Sequence, residues 1–242
     1  MTFVRELMMR SMLSTGRAIG MLLPVQLAGF IVPFVLLLPI TTGPRSYLAN
    51  AAAASLQIKA AVLLLLANGA LTIGVSLLAF RVIRRFSEPT ALGLVAASVI
   101  MCVLQAVDNV HVLTMLSLSQ QVARSGGPED LFLALAAPVG ATRMWAHTTE
   151  LLAIDAWIVL LHAALYRFAL VPRALTAFGL VTAALHATGI PLRGLLGYSP
   201  EALMGAPMGL SHLALAVRLS IKGFDDRPPS STDVEAVAER AD

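Results

Sequence analysis

The sequence predicts an all-α protein, a polytopic membrane bundle of six transmembrane helices with both chain ends in the cytoplasm. Hydrophobic residues make up 57% of the 242 residues and charged residues only 13%, which is about half the charged fraction of a soluble domain. The mean hydropathy is +0.80. Long apolar stretches alternate with short turns that carry most of the arginines, and this alternation is typical of membrane spans.

The chain divides into three predicted parts. Residues 1–16 place apolar residues at helical spacing between arginines, which predicts an amphipathic helix at the membrane interface. Residues 17–222 form the six-helix transmembrane domain. Residues 223–242 combine Pro228-Pro229 with serines and acidic residues, a composition that predicts a disordered cytoplasmic tail.

Apolar runs of suitable length predict the six spans, at residues 18–40, 58–80, 91–117, 145–168, 174–192 and 202–221. Residues 131–144 are apolar but too short to cross a bilayer, and Pro138 and Gly140 interrupt them. A re-entrant or half-buried segment is therefore expected there.

The basic residues predict the orientation. An N-terminus in the cytoplasm places twelve of the 17 basic residues inside, and cytoplasmic loops carry an excess of lysine and arginine. The five basic residues left outside are Arg45, Lys59, Arg124, Arg143 and Arg193.

The remaining composition excludes some functions. Cys102 is the single cysteine, so no disulfide can form within the chain. The pI is about 9.5, but the basic residues separate apolar spans and form no continuous patch, so we expect no nucleic-acid partner. The bilayer is the expected partner, and the sequence does not indicate an oligomeric state.

Seven ionisable residues are predicted at membrane depth in the outer half of the bundle. A charged group near the bilayer centre costs at least about 2.5 kcal/mol, so residues of this kind need partners or a function. They come from four predicted spans, and they are Asp108, His111, His147, Glu150, Asp155, His186 and His212.

Carboxylates and imidazoles in a low-dielectric pocket suit general acid–base chemistry. We therefore predict a membrane-embedded enzyme of the isomerase or cyclase type that acts on a lipophilic small molecule. The predicted catalytic residues are Asp108, Asp155, His111, Glu150 and His147. The predicted substrate-binding residues are His186, His212, Asn109 and Arg193. Such a reaction needs no cofactor. No metal ligands are predicted, because His147 and Glu150 lack a second histidine at the spacing of a zinc motif.

Other functions remain open at this point. The same polar residues could form a structural network in a protein without catalysis, or belong to a proton-coupled carrier. A b-type haem protein would use two of His111, His147 and His186 as axial ligands. A catalytic zinc site would use three histidines with an aspartate.

The sequence also resembles a known family. His162, Ala163, Ala164, Tyr166 and Arg167 end one predicted span, and Val171, Pro172 and Arg173 open the next. Together with residues 16–20 and Asn50, they resemble a bacterial six-helix membrane family, domain of unknown function 4386. The resemblance covers most of residues 16–222, and Ala164 departs from it, since glycine is more typical there. It implies a six-helix fold in the bacterial cytoplasmic (inner) membrane and no particular activity.

Overall fold

Seven α-helices account for nearly all of the described chain. The structure is a computed structural model that describes residues 2–37, 44–125, 129–196 and 200–225, with side chains for 11–37, 46–125, 131–192 and 203–225. The helices are α1 (Thr2–Leu37), α2 (Pro44–Asn50), α3 (Ser55–Ile83), α4 (Glu88–Ser125), α5 (Glu129–Arg167), α6 (Arg173–Leu196) and α7 (Pro200–Lys222).

The six long helices form a closed ring. Each packs against its neighbour along the chain, and α7 completes the ring by packing against α1. The short helix α2 lies against α4 and α5. Arginines mark one end of the ring, where α3 and α5 end and α4 and α6 begin. We call this the arginine-rich end, and its residues are Arg81, Arg84, Arg85, Arg167 and Arg173.

The bundle is apolar outside and polar inside. Large apolar side chains such as Leu63, Val103 and Val181 are more than half exposed, whereas Asp108, Glu150 and other polar residues are buried. Because lipid solvates apolar side chains and a bundle interior can pair polar ones, this distribution is typical of membrane proteins.

Five helical segments in the described part of the chain are long and apolar enough to cross a membrane, namely Ser11–Leu37, Ser55–Ile83, Glu88–Ser125, Leu131–Arg167 and Arg173–Leu192. Helix α7 is not among them; it contains Gly205, Pro207, Gly209, Ser211 and His212, which reduce its hydropathy. The chain is therefore a multi-pass membrane protein.

The predicted re-entrant segment at residues 131–144 is wrong. These residues are the first part of α5, which continues without a break to Arg167. Pro138 lies inside the helix, where membrane proteins tolerate proline. The side of this segment facing the bundle packs on α2, with Ala136 fully buried and the Tyr47 hydroxyl donating to its carbonyl oxygen at 3.0 Å.

The structure of the two terminal segments differs from the prediction in two details. Residues 2–16 continue directly into the first span as one helix, α1; their position at the membrane interface stays a prediction. The first residues of the predicted tail are packed, because Phe224 is buried and Arg218 pairs with Asp225. Residues 226–242 lie outside the described part of the chain.

Two apolar cores occupy the ends of the ring and leave a polar belt between them. The core at the arginine-rich end includes Ile19, Leu94 and Trp157, and the opposite core includes Tyr47 and Met115. Between these levels lie the buried or partly buried polar residues of the belt, Gln26, Asn68, Thr72, Gln105, Asp108, Asn109, Arg143, His147, Glu150 and Asp155. These polar residues therefore separate the two apolar cores over several helical turns.

Close approach of α1 and α7 closes the ring, and Gly20 permits it. A Cβ atom at Gly20 would lie 2.7 Å from the Leu219 carbonyl carbon, which belongs to the backbone and cannot rotate away. We predict that Gly20→Ala lowers the stability by about 1–3 kcal/mol, measured by thermal unfolding in detergent. Gly93→Ala is the matched control because a Cβ there meets nothing within 4 Å. Equal unfolding temperatures for the two variants would contradict this packing.

Candidate functional site

Four charged or titratable side chains from two helices meet in the polar belt. The Nε atom of Arg143 lies 3.3 Å from Oδ1 of Asp108, and Nδ1 of His147 lies 3.6 Å from Oδ2 of the same carboxylate. The Nδ1 atom of His147 is also 3.3 Å from Oε2 of Glu150 and donates a hydrogen bond to it in the tautomer that carries a proton on Nδ1. We call these four residues the α4–α5 cluster.

Helical spacing explains how the cluster forms. Arg143, His147 and Glu150 follow one another at steps of four and three residues and so lie on one face of α5. Asp108 and His147 each lie about twenty residues from the arginine-rich end of their helix, which is about 30 Å at 1.5 Å per residue. Because α4 and α5 are adjacent, this equal height brings Asp108 opposite the α5 face.

Burial differs between the anions and the cations of the cluster. The side chains of Asp108 and Glu150 are 4% and 3% exposed, whereas those of Arg143 and His147 are 17% and 19% exposed. The two carboxylates therefore depend on Arg143 and His147 for compensation of their charge. A proton on His147 would make the four charges sum to zero.

A second polar pair lies closer to the arginine-rich end, between α5 and α6. Nδ1 of His186 is 2.7 Å from Oδ1 of Asp155, and both residues are buried. Oδ2 of Asp155 has no hydrogen-bond partner among the described residues. Gly205 of α7 approaches the other side of the imidazole, since a Cβ at Gly205 would lie 3.5 Å from its Nε2.

The seven residues predicted at membrane depth thus separate into groups. Asp108, His147 and Glu150 belong to the cluster, and Asp155 pairs with His186. His111 does not join them, because its ring bonds the Val107 carbonyl of its own helix at 2.8 Å.

The other predicted site residues have separate positions. His212 is buried on α7. Asn109 is buried beside Asp108 in the sequence, and neither of its amide atoms has a partner in the described part of the chain. The side chain of Arg193 lies outside the described residues.

Arg143 is the site residue that the sequence interpretation missed. From the sequence it is counted among the basic residues outside the membrane, in the segment 131–144, because the fourth span is predicted to begin at residue 145. A continuous α5 moves Arg143 onto the helix face that carries His147 and Glu150. Its spacing of four and seven residues from them was the available signal.

One further histidine lies in the core. His162 is fully buried and packs directly against Gly179 of α6, where a Cβ would overlap the ring. Both ring nitrogens lack a hydrogen-bond partner within the described residues. It lies about 8 Å from the arginine-rich end of α5, well separated from the cluster.

The cluster also contains possible metal ligands. Asp108, His147 and Glu150 each offer one ligand atom, and these three atoms lie within 4.8 Å of one another.

For a haem, the imidazoles would have to leave their present partners, since His111 bonds its own helix and His186 bonds Asp155.

Two cavities among the described residues lie away from the α4–α5 cluster. An open groove of about 490 Å³ runs along the outside of α7 beside Leu213, Val217 and Ile221. A space of about 10 Å³ lies in the core that contains Tyr47 and Met115. Residues of the cluster line neither of these two cavities.

Arg143 is the only guanidinium recorded in contact with Asp108 in the described part of the chain. Its removal leaves a buried carboxylate without that partner. We predict that Arg143→Met lowers stability by about 2–4 kcal/mol, measured by thermal unfolding in detergent. Arg124→Met is the matched control, because Arg124 is exposed near the end of α4. The double variant Asp108→Asn/Arg143→Met should lose less than the sum of the two single variants; strict additivity would show that the two side chains do not interact.

Comparison with known proteins identifies the family. The profile of the family described as domain of unknown function (DUF4386) matches residues 18–223, which include α3 to α7 and the part of α1 from Ala18 onward. Comparisons with curated proteins and with solved structures give no match. The match covers most of the chain, and it includes both the cluster and the Asp155–His186 pair. The chain belongs to the DUF4386 family.

Proposed function

We propose that the protein is a membrane-embedded enzyme that performs acid–base chemistry on a lipophilic small molecule at the α4–α5 cluster. One observation carries the proposal: Nδ1 of His147 lies 3.3 Å and 3.6 Å from oxygens of two buried carboxylates. When carboxylates accept a hydrogen bond from Nδ1–H, the other ring nitrogen, Nε2, carries a lone pair. A histidine held in this tautomer is an effective general base.

The roles of the residues follow from their contacts. His147 is the proposed catalytic residue, because it is the most exposed member of the cluster. Asp108 and Glu150 position its ring, and Arg143 holds Asp108. Asn109 is the proposed donor or acceptor to a polar group of the substrate, since its buried amide has no partner in the described part of the chain. Asp155 with His186 is the second proposed proton-transfer pair.

The simplest reaction for these groups is an isomerisation or cyclisation. Nε2 of His147 takes a proton from an acidified carbon of the substrate, and the imidazolium returns a proton to another carbon of the same molecule. The double bond shifts, the proton count is unchanged, and no electrons leave the substrate. Such a cycle needs neither a redox partner nor a cofactor.

We propose further that six helices cross the cytoplasmic membrane of a bacterium, with α7 as the sixth span and the arginine-rich end in the cytoplasm. The excess of arginines at this end supports that orientation. The closed ring supports six spans, because α7 lies between α1 and α6 and shares their environment. The cluster then lies toward the outer face.

A structural role for the cluster is the second candidate. Two anions and two cations that sum to zero could simply hold α4 against α5, and a buried ion network of this kind needs no substrate. The two functions differ in their response to substitution. A structural cluster affects stability alone, and a catalytic one affects turnover in variants that remain folded.

The proposed function predicts turnover in a defined assay. Purified protein in lipid nanodiscs is incubated in D₂O with a lipid extract of the source organism, and the extract is compared by mass spectrometry. We expect a product with the elemental composition of its substrate plus exchanged deuterium. His147→Gln should reduce its formation by at least about 100-fold, the usual contribution of a general base.

His111→Gln is the matched control for that assay, because His111 lies outside the cluster and its ring bonds its own helix. It should retain normal turnover. Full turnover by folded His147→Gln would contradict the proposed role of this residue.

The proposed orientation predicts which ends of the helices are accessible. The experiment uses two single-cysteine variants in a Cys102→Ala background, Ser125→Cys and Arg84→Cys. Ser125 is exposed at the end of α4, and Arg84 is exposed at the arginine-rich end. A membrane-impermeant maleimide should label Ser125→Cys in intact cells and Arg84→Cys only after permeabilisation. The reverse pattern would place the arginine-rich end outside.

A further inference from the structure

We propose that the α4–α5 cluster binds a divalent transition metal ion through Asp108, His147 and Glu150, in place of the proton on His147. This inference uses the residues of the proposed active site but does not require them to be catalytic. A bound metal ion would determine which nitrogen of the His147 ring carries a proton. The evidence is the positions of the three atoms that would bind the metal.

The ligand atoms already face one another. They lie within 4.8 Å of one another and comprise one imidazole nitrogen and two carboxylate oxygens. Nδ1 of His147 is the central atom, at 3.3 Å from Oε2 of Glu150 and 3.6 Å from Oδ2 of Asp108. Metal–ligand bonds of about 2.0–2.2 Å place ligand atoms roughly 3–3.5 Å apart in a tetrahedral site. Small side-chain rotations would therefore complete the site.

Arg143 supports the arrangement from outside. Its Nε approaches Oδ1 of Asp108, whereas Oδ2 is the oxygen nearer His147. One carboxylate oxygen is thus oriented by a cation and the other is left for a metal. Partners of this kind orient metal-ligating carboxylates in many sites. Asn109, buried and without a partner for either amide atom in the described part of the chain, offers a further polar group at this level.

The ligand set selects the kind of metal. One imidazole with two carboxylates suits zinc and similar divalent ions, because imidazole binds these ions well and Ca²⁺ prefers oxygen ligands alone. Three protein ligands leave a fourth position for water, as in catalytic zinc sites. Cys102 is not among the three ligands, so the site contains no thiolate.

Metal and proton compete for the same nitrogen. A metal on Nδ1 requires that this atom carry no proton, and in the neutral ring the proton then lies on Nε2. Metal binding would also fix the ring and change the group that can exchange protons with a substrate.

The test uses full-length, tag-free protein in detergent with Zn²⁺ as the probe. Isothermal titration calorimetry gives the stoichiometry and the affinity. We expect one zinc ion per chain. His147→Gln and Glu150→Gln should each weaken binding by at least about tenfold. His111→Gln is the matched control and should bind as the unmodified protein does, because its ring is held by its own helix.

X-ray absorption of the zinc-loaded protein provides a measurement that does not depend on variants. Nitrogen and oxygen neighbours with no sulfur are expected. Zinc binding that His147→Gln leaves unchanged, or a sulfur neighbour from Cys102, would overturn the proposal. Absence of binding by the folded protein would also overturn it. Those outcomes leave the deuterium assay unaffected, and a failed deuterium assay leaves zinc binding unaffected, so the two proposals fail separately.

Discussion

The contact between Asp108 and Arg143 is the interaction on which the interior of this bundle depends. Asp108 is 3% exposed between two apolar cores, and an unpaired carboxylate there would be very unfavourable. Its contact with Arg143 joins α4 to α5 at one height along the bundle. That height in turn brings His147 and Glu150 to the same carboxylate. The polar belt and both apolar cores are consistent with this single alignment.

Much of the fold could be predicted from the sequence, because lipid imposes a simple length requirement on apolar segments. The arginines at residues 81, 84, 85, 167 and 173 correctly mark helix ends. The membrane character follows from composition alone. Helix α2 could not be predicted, since seven residues give little periodicity and its stability comes from packing on α4 and α5. Nor was α5 predicted as one helix, because Pro138 and Gly140 suggested a break that tertiary packing prevents.

The depth of the site residues in the membrane could be predicted from the sequence, but the direction in which each helix turns its side chains could not. Depth follows from counting residues along a helix, and this count puts Asp108 and His147 in the same half of the bundle. Which face of a helix points inward depends on the helices that pack against it. A small error in the assumed rotation of a helix about its axis places a side chain on the wrong face. His111 was included for its depth, yet its ring bonds its own helix. Arg143 is missing from the predicted site because the sequence places it outside the membrane, in the predicted re-entrant segment. The pairing of Asp155 with His186 required the positions of two helices that no sequence spacing gives.

We propose that side chains from α4 and α5 converge on one chemically competent site. The direct test is an experimental structure of the protein in a lipid environment, resolved well enough to show side chains and ordered ligands. We expect Asp108, Arg143, His147 and Glu150 in mutual contact, with density for water, an ion or a small molecule beside His147. Side chains of these residues on separate helix faces, or bound-molecule density only in the groove along α7, would contradict it.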